Sequence, residues 1–176
     1  MSKVYEEHML KAPKSLRIAV FTASSSRFQK SIRGEAAEDE SAEKAVSILK
    51  ALGHDVSYLG VVDDDVDMIR RHLISAIDAN FDVIVISGGT GLAKRDVTIE
   101  AVKPFLEKEM EGFGEALRME SFKVIGPPAA LTRSVAGVFQ GRLILALPGS
   151  PHAVETALTL FGRELPHIVY VARGQP

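Results

Sequence analysis

Phe81-Asp82-Val83-Ile84-Val85-Ile86-Ser87-Gly88-Gly89-Thr90-Gly91 is the stretch on which the fold turns. Its centre is apolar at every position, without the alternation of a strand that has one wet face. It therefore reads as a strand over Phe81 to Ser87 in a sheet covered on both sides. The strand runs straight into three glycines within four residues. Glycine there lets the backbone come close to a ligand and turn its N–H groups toward an anion.

Working back from this stretch, Val66, Ile69, Leu73, Ala76 and Ile77 recur at helical spacing, and Val56 to Val62 reads as a strand before them. Asp39 to Leu52 is a helix with Ala42, Ala45, Val46, Leu49 and Leu52 on one face, stopped by Gly53. Ser24 to Glu38 is polar, contains Gly34 and reads as a long loop. Leu16 to Thr22 is a buried strand. The order is β-α-β-α-β, which predicts a mostly parallel, mixed central sheet with helices on both faces, a three-layer α/β/α sandwich.

Working forward, a helix is expected from about Val97, broken or restarted at Pro104, and another after Gly114. Glu107-Lys108-Glu109 reads as a solvated helix face. Leu131 to Phe139 and Arg142 to Leu147 flank Gln140-Gly141, a hairpin signal. Pro148-Gly149-Ser150-Pro151 then opens a helix whose buried face is Val154, Ala157, Leu158, Phe161 and Leu165. Ser150 suits the N-cap and Pro151 the first helical position. A polar segment, residues 1–15, is expected to precede one domain over residues 16–176, because 176 residues suffice for a single core.

Bulk properties narrow the function. A net charge of −2 with dispersed basic residues argues against duplex binding, and sparse aromatics argue against a single-strand platform. With no cysteine, disulfides, thiolate metal sites and a cysteine nucleophile are excluded. The N-terminus lacks an apolar core of signal-peptide type, and apolar runs are too short to span a bilayer. A cytoplasmic protein that acts on small molecules, without nucleic-acid or membrane partners, is expected.

Ligands in open α/β sheets sit outside the carboxyl ends of the strands, where both glycine loops fall. Either loop alone could be a tight turn; two after two apolar strands favour a ligand site. Neither is a Walker or Rossmann motif: the first needs Gly-Lys-Ser or Gly-Lys-Thr after four intervening residues, which Lys94 does not supply, and the second needs a small residue where Lys94 stands. Asp96 could be a plain helix N-cap or could hold Mg²⁺ beside a phosphate chain. Asp63, in Val62-Asp63-Asp64-Asp65, could belong to a solvated acidic turn or meet Asp96 across one sheet edge. Two carboxylates together there would make a divalent-metal site for phosphoryl or nucleotidyl transfer. The five histidines show no ligand spacing, and no Gly-x-Ser-x-Gly elbow is present.

Four segments taken in order carry a resemblance. They are Ser87-Gly88-Gly89-Thr90-Gly91 with Arg95-Asp96-Val97-Thr98 and Glu100-Ala101; Gly112-Phe113-Gly114-Glu115 with Arg118; Leu131-Thr132-Arg133-Ser134 with Ala136-Gly137; and Leu147-Pro148-Gly149-Ser150-Pro151. Together they resemble the MoaB/MogA family of molybdenum-cofactor biosynthesis, shared with the gephyrin G domain, over about Leu16 to Tyr170. Phe122-Lys123-Val124-Ile125-Gly126 is closer to the MoaB branch.

The resemblance implies a molybdopterin adenylyltransferase that takes Mg·ATP and molybdopterin and releases pyrophosphate. It implies Asp63 and Asp96 in Mg²⁺ binding and catalysis. It implies Gly88, Gly89, Thr90 and Gly91 as the phosphate cradle, with Glu115, Ser134, Gly149 and Ser150 shaping the pterin and phosphate pocket. It further implies a homotrimer or homohexamer. Some positions depart: the family's Ser-Asp after the first strand stands here as Ser24-Ser25, and Pro is common where Ile99 and Glu111 stand. A catalytically silent molybdopterin carrier on the same scaffold is the alternative, and a different nucleotide-processing enzyme is a third.

Overall fold

The structure, a computed structural model, describes residues 3–174. The outermost positions of the two expected stretches, residues 1–2 and 175–176, lie outside the described residues. In chain order the elements are α1 (Lys3–Lys11), β1 (Arg17–Ala23), α2 (Ser25–Ile32), α3 (Glu40–Ala51), β2 (Asp55–Val62), α4 (Val66–Asp78), β3 (Val83–Ser87) and α5 (Thr98–Val102). They continue with β4 (Lys108–Glu109), α6 (Glu111–Ile125), β5 (Val135–Phe139), β6 (Arg142–Leu147), α7 (Pro151–Phe161) and α8 (Leu165–Ala172).

The strands form one six-stranded sheet in the order β2-β1-β3-β6-β5-β4. β1, β2, β3 and β6 are mutually parallel, and β5 runs against both β6 and β4. This is the expected mixed, mostly parallel sheet. β3 lies between β1 and β6 and all five of its residues are buried, which is why its sequence shows no polar alternation.

Successive strand residues point to opposite faces, and each face has its own core. Ile18, Val20, Val83, Val85, Leu143 and Leu145 pack under α3, α6, α7 and α8. Ala19, Phe21, Ile84, Ile86 and Ile144 pack under α4 and α5. The result is three layers. α1 lies outside them on α8, where the Tyr5 hydroxyl donates to Glu164 at 2.7 Å and the Tyr5 ring meets His167 edge-on.

Five expectations need correction. Within Ser24 to Glu38, read as a loop, the Ser24 side chain accepts the Arg27 N–H and starts α2. No α2 residue is buried, so the helix leaves no apolar stripe to read. α6 begins at Glu111, before Gly114. Gly114 is tolerated inside the helix because a Cβ there would lie 3.1 Å from Arg118 and 3.3 Å from the Ser134 carbonyl.

Glu107-Lys108-Glu109 is not helical. It forms the edge strand β4, with Glu107 N–H donating to Val138 and Met110 N–H donating to Ala136. Residues 127–131 form a 3₁₀ turn, so β5 starts at Val135 rather than Leu131. A second 3₁₀ turn, Gly162–Glu164, separates Leu165 from α7 and places it on α8. The Gln140-Gly141 hairpin is as expected, both residues having positive φ, as a tight primed turn needs.

Candidate functional site

The carboxyl ends of β1, β3 and β6 converge, and the glycine loops rise from them. Beneath the loops the hydroxyls of Thr22 and Ser87 pair at 3.0 Å in a buried position. Gly88 sits at φ +92°, and a Cβ on it would come within 2.3 Å of the Ala23 carbonyl oxygen. Only glycine lets β3 leave the sheet here. Its N–H donates to Leu147, tying the first loop to the end of β6. Gly149 packs directly on it, its Cβ position only 3.0 Å from Gly88 Cα. Ser41 of α3 donates to the Gly149 carbonyl at 2.7 Å and fixes the second loop. Thr98 N–H donates to the Gly89 carbonyl and anchors α5 to the first loop.

A cavity of about 500 Å³ opens above these loops. Gly88, Gly89, Thr90, Gly91, Gly149 and Ser150 line it, and the Ser150 hydroxyl also caps α7 by accepting the Ala153 N–H. Arg27, Arg95 and Arg133 face it as well, and Lys94 does not. Three guanidiniums against two carboxylates suit a polyanionic ligand.

The carboxylates are Asp96 and Asp64. Asp63, the expected partner of Asp96, does not line the cavity. Its Oδ1 accepts the Asp64 N–H at 2.9 Å and serves the turn. The reason lies in β2. Val20 pairs with Tyr58 and Thr22 with Val61, so β2 carries one extra residue around Gly60, where φ is +91°. This bulge reverses the alternation: Val56 lies in the core under α3, and Val62, six positions on, lies in the core under α4. Beyond the reversal it is Asp64 that turns inward. Its Oδ2 accepts from Ser25, and its Oδ1 lies 2.7 Å from where a Gly89 Cβ would stand.

Asp96 is not an N-cap. Val97 holds that position in α5 without a side-chain bond, and Asp96 Oδ2 instead accepts the Ala93 N–H at 2.9 Å. The same oxygen lies 2.6 Å from the Cβ position of Gly91. The two carboxylates therefore flank one glycine loop, at Gly89 and at Gly91. Asp64 Oδ1 and Thr98 Oγ1 are both buried without a partner. Buried oxygens of this kind call for a ligand, water or an ion. Two carboxylates with free hard-oxygen capacity fit Mg²⁺, which takes one or two such groups and fills its shell with phosphate and water. Among the described residues no group of three or more metal-ligating side chains forms a complete protein cage.

Glu115 and Ser134 are not in this cavity. They line a second one of about 560 Å³, with Gly114, Arg118 and Glu100. Ser134 Oγ is buried there and unpartnered. Arg133 borders both cavities, and its guanidinium is held by Glu100 at 2.5 Å. Partial burial pushes the Glu100 carboxyl up, but the Arg133 hydrogen bond and charge outweigh it and hold the carboxyl below its ordinary range. Sequence reading missed Asp64, Arg27, Arg133 and Thr98 as site residues. Arg27 lies on the unread helix α2. Arg133 stood within a quoted motif, where nothing local marked it as facing the cavity; Thr98 does not line the cavity but lies buried beneath Gly89 next to Asp64.

Comparison with known proteins adds to this geometry. A family profile described as "Probable molybdopterin binding domain" matches residues 19–167. A molybdopterin adenylyltransferase of Pyrococcus furiosus is 39% identical over 172 residues, covering 96% of this chain and 98% of that one. The molybdenum cofactor biosynthesis protein B of Halalkalibacterium halodurans is 40% identical over 167 residues, covering 93% and 94%. The crystal structure of the tungsten cofactor synthesizing protein MoaB from Pyrococcus furiosus superimposes with a TM-score of 0.82 at 37% identity. It covers 92% of this chain and 99% of that one.

Proposed function

The chain belongs to the MoaB/MogA family of molybdopterin-binding domains, and from that premise we propose that it is a molybdopterin adenylyltransferase. It transfers AMP from ATP to molybdopterin and releases pyrophosphate, in the making of a molybdenum or tungsten cofactor. The observation that carries this reading is the pair Asp64 and Asp96 on either side of the Gly88–Gly91 loop, in one cavity beside a second.

The chemical obstacle is the approach of an anionic phosphate nucleophile to an anionic α-phosphate. The nucleophile is already ionised near neutral pH, so the site needs positioning and positive charge more than a strong base. N–H groups of Gly88 to Gly91 would hold phosphate oxygens at the strand ends. Arg27, Arg95 and Arg133 would offset the remaining charge, with Arg133 at the boundary where the two substrates meet. Glu115 and Ser134 would shape the second cavity for the pterin, and the Ser134 hydroxyl has hydrogen-bonding capacity to give. Held by Asp64 and Asp96, Mg²⁺ would supply positive charge to the phosphate oxygens.

Residues 16–176 act as one functional domain in this reading, working in the cytoplasm as a trimer or hexamer. Exposed apolar side chains on α6, Met119, Phe122, Val124 and Ile125, support assembly. Among the described residues no helix is long and apolar enough to cross a membrane.

The test is to mix protein, Mg·ATP and molybdopterin and follow pyrophosphate. Release that depends on molybdopterin and falls at least about 100-fold in Asp96→Ala supports the transferase. Tight pterin binding without pyrophosphate would identify a carrier. ATP turnover without pterin would identify a different nucleotide enzyme.

A further inference from the structure

We propose that Ser25 is the positioning residue for Asp64, and that it reserves a single carboxylate oxygen of Asp64 for the cation in the cavity. The inference rests on the reading above that Asp64 faces such a cation.

Ser25 and Asp64 are 39 residues apart and bond three times. The Ser25 N–H donates to Asp64 Oδ2 at 2.8 Å, the Ser25 hydroxyl donates to the same Oδ2 at 2.9 Å, and Asp64 N–H donates back to the hydroxyl oxygen at 3.4 Å. Ser25 is the first residue of α2, whose N-terminal dipole also favours the carboxylate. Oδ2 is thereby occupied by two donors on the α2 side. Oδ1 is buried, has no partner, and faces the Gly89 backbone. The clasp prevents the carboxylate from rotating, so one fixed oxygen is presented beside the phosphate cradle.

The residue type matters. A serine can donate to the carboxylate and accept from the backbone at once. An ionised acid at position 25 could only accept and would repel Asp64. α2 therefore contributes a donor and no charge, and leaves Asp64 to hold the cation through Oδ1. Threonine keeps both functions of the hydroxyl; alanine keeps only the backbone N–H.

The probe is Mn²⁺ alone, titrated into wild type and variants with free Mn²⁺ counted by electron paramagnetic resonance. Loss of one charge-assisted hydrogen bond predicts roughly tenfold weaker Mn²⁺ binding in Ser25→Ala, with Ser25→Thr within about threefold of wild type. In an Asp64→Asn background, Ser25→Ala should change binding less than about twofold, because the carboxylate it orders is gone. A wild type that binds no Mn²⁺, a Ser25→Ala variant that binds as wild type does, or an equal loss in the Asp64→Asn background would each overturn the proposal. Folding is controlled by a cooperative melt, and rescue by threonine separates loss of the hydroxyl from a misfolded α2. Because the readout is metal binding, absent pyrophosphate release with the Mn²⁺ coupling intact would count against the transferase reading and leave Ser25 standing.

Discussion

His54 shows how one side chain can be read once its partners are known. It is buried at the end of α3, and its Nδ1 accepts the Leu16 N–H at 3.4 Å. Burial lowers its pKa, offset only in part by the nearby Gly162 backbone. A base whose folded pKa is depressed binds fewer protons than in the unfolded chain. Its contribution to stability is therefore present above the ordinary value near 6.5 and is lost as pH falls from there through the folded value. Urea midpoints measured from pH 8 to pH 5 should fall with acid from just below that value, and His54→Gln should flatten this part of the curve. An unchanged slope in the variant would remove His54 from the account.

At the same scale, Asp64 and Asp63 mark the limit of sequence reading. Three adjacent aspartates are equivalent on paper. Choosing among them needs the pairing of β2 with β1, which no local pattern carries. Asp96 was legible as a site residue because it follows the glycine loop closely in the chain; the acidic tip of β2 was legible too, but not which of its aspartates turns inward.

Among elements, those with an apolar stripe were legible and those without one were not. α3, α4 and α7 each bury one face, and their helical spacing is plain in the sequence. α2 buries nothing and β4 has two residues, so neither leaves a period to detect. Caps join the elements into a frame for the site. Asp39 Oδ1 accepts the Ala42 N–H at the start of α3, while its Oδ2 accepts the Tyr58 hydroxyl at 2.9 Å from β2. Burial first, then the Asp39 charge, pushes the Tyr58 phenol up to about 12. Asp39→Ala removes the cap and the acceptor of the Tyr58 hydroxyl, and should cost about 1–2 kcal/mol in a denaturant titration. A loss below about 0.3 kcal/mol would show that the α3 cap does not bear on stability.

Across the whole molecule, the sheet does two jobs. Its central strands bury both faces under helices, and their carboxyl ends bring together loops that are distant in sequence. The glycine turns after β3 and β6 meet because those strands are neighbours. The tip of β2 reaches the same cavity from the far side of β1, and its bulge selects which aspartate enters. The general architecture follows from hydrophobic pattern and connection order. The composition of the cavity does not, because it depends on register between segments far apart in the chain.

The central claim is that this chain performs adenylyl transfer with Asp64, and not Asp63, beside the glycine loop. The most direct measurement is the mass-spectrometric yield of adenylylated molybdopterin from Mg·ATP and molybdopterin with wild type, Asp64→Asn and Asp63→Asn. Asparagine at 63 keeps the oxygen that accepts the Asp64 N–H, so that variant should form product within about threefold of wild type, whereas Asp64→Asn should fall about 100-fold or more. No product from wild type, or equal yields from Asp64→Asn and wild type, would contradict the account.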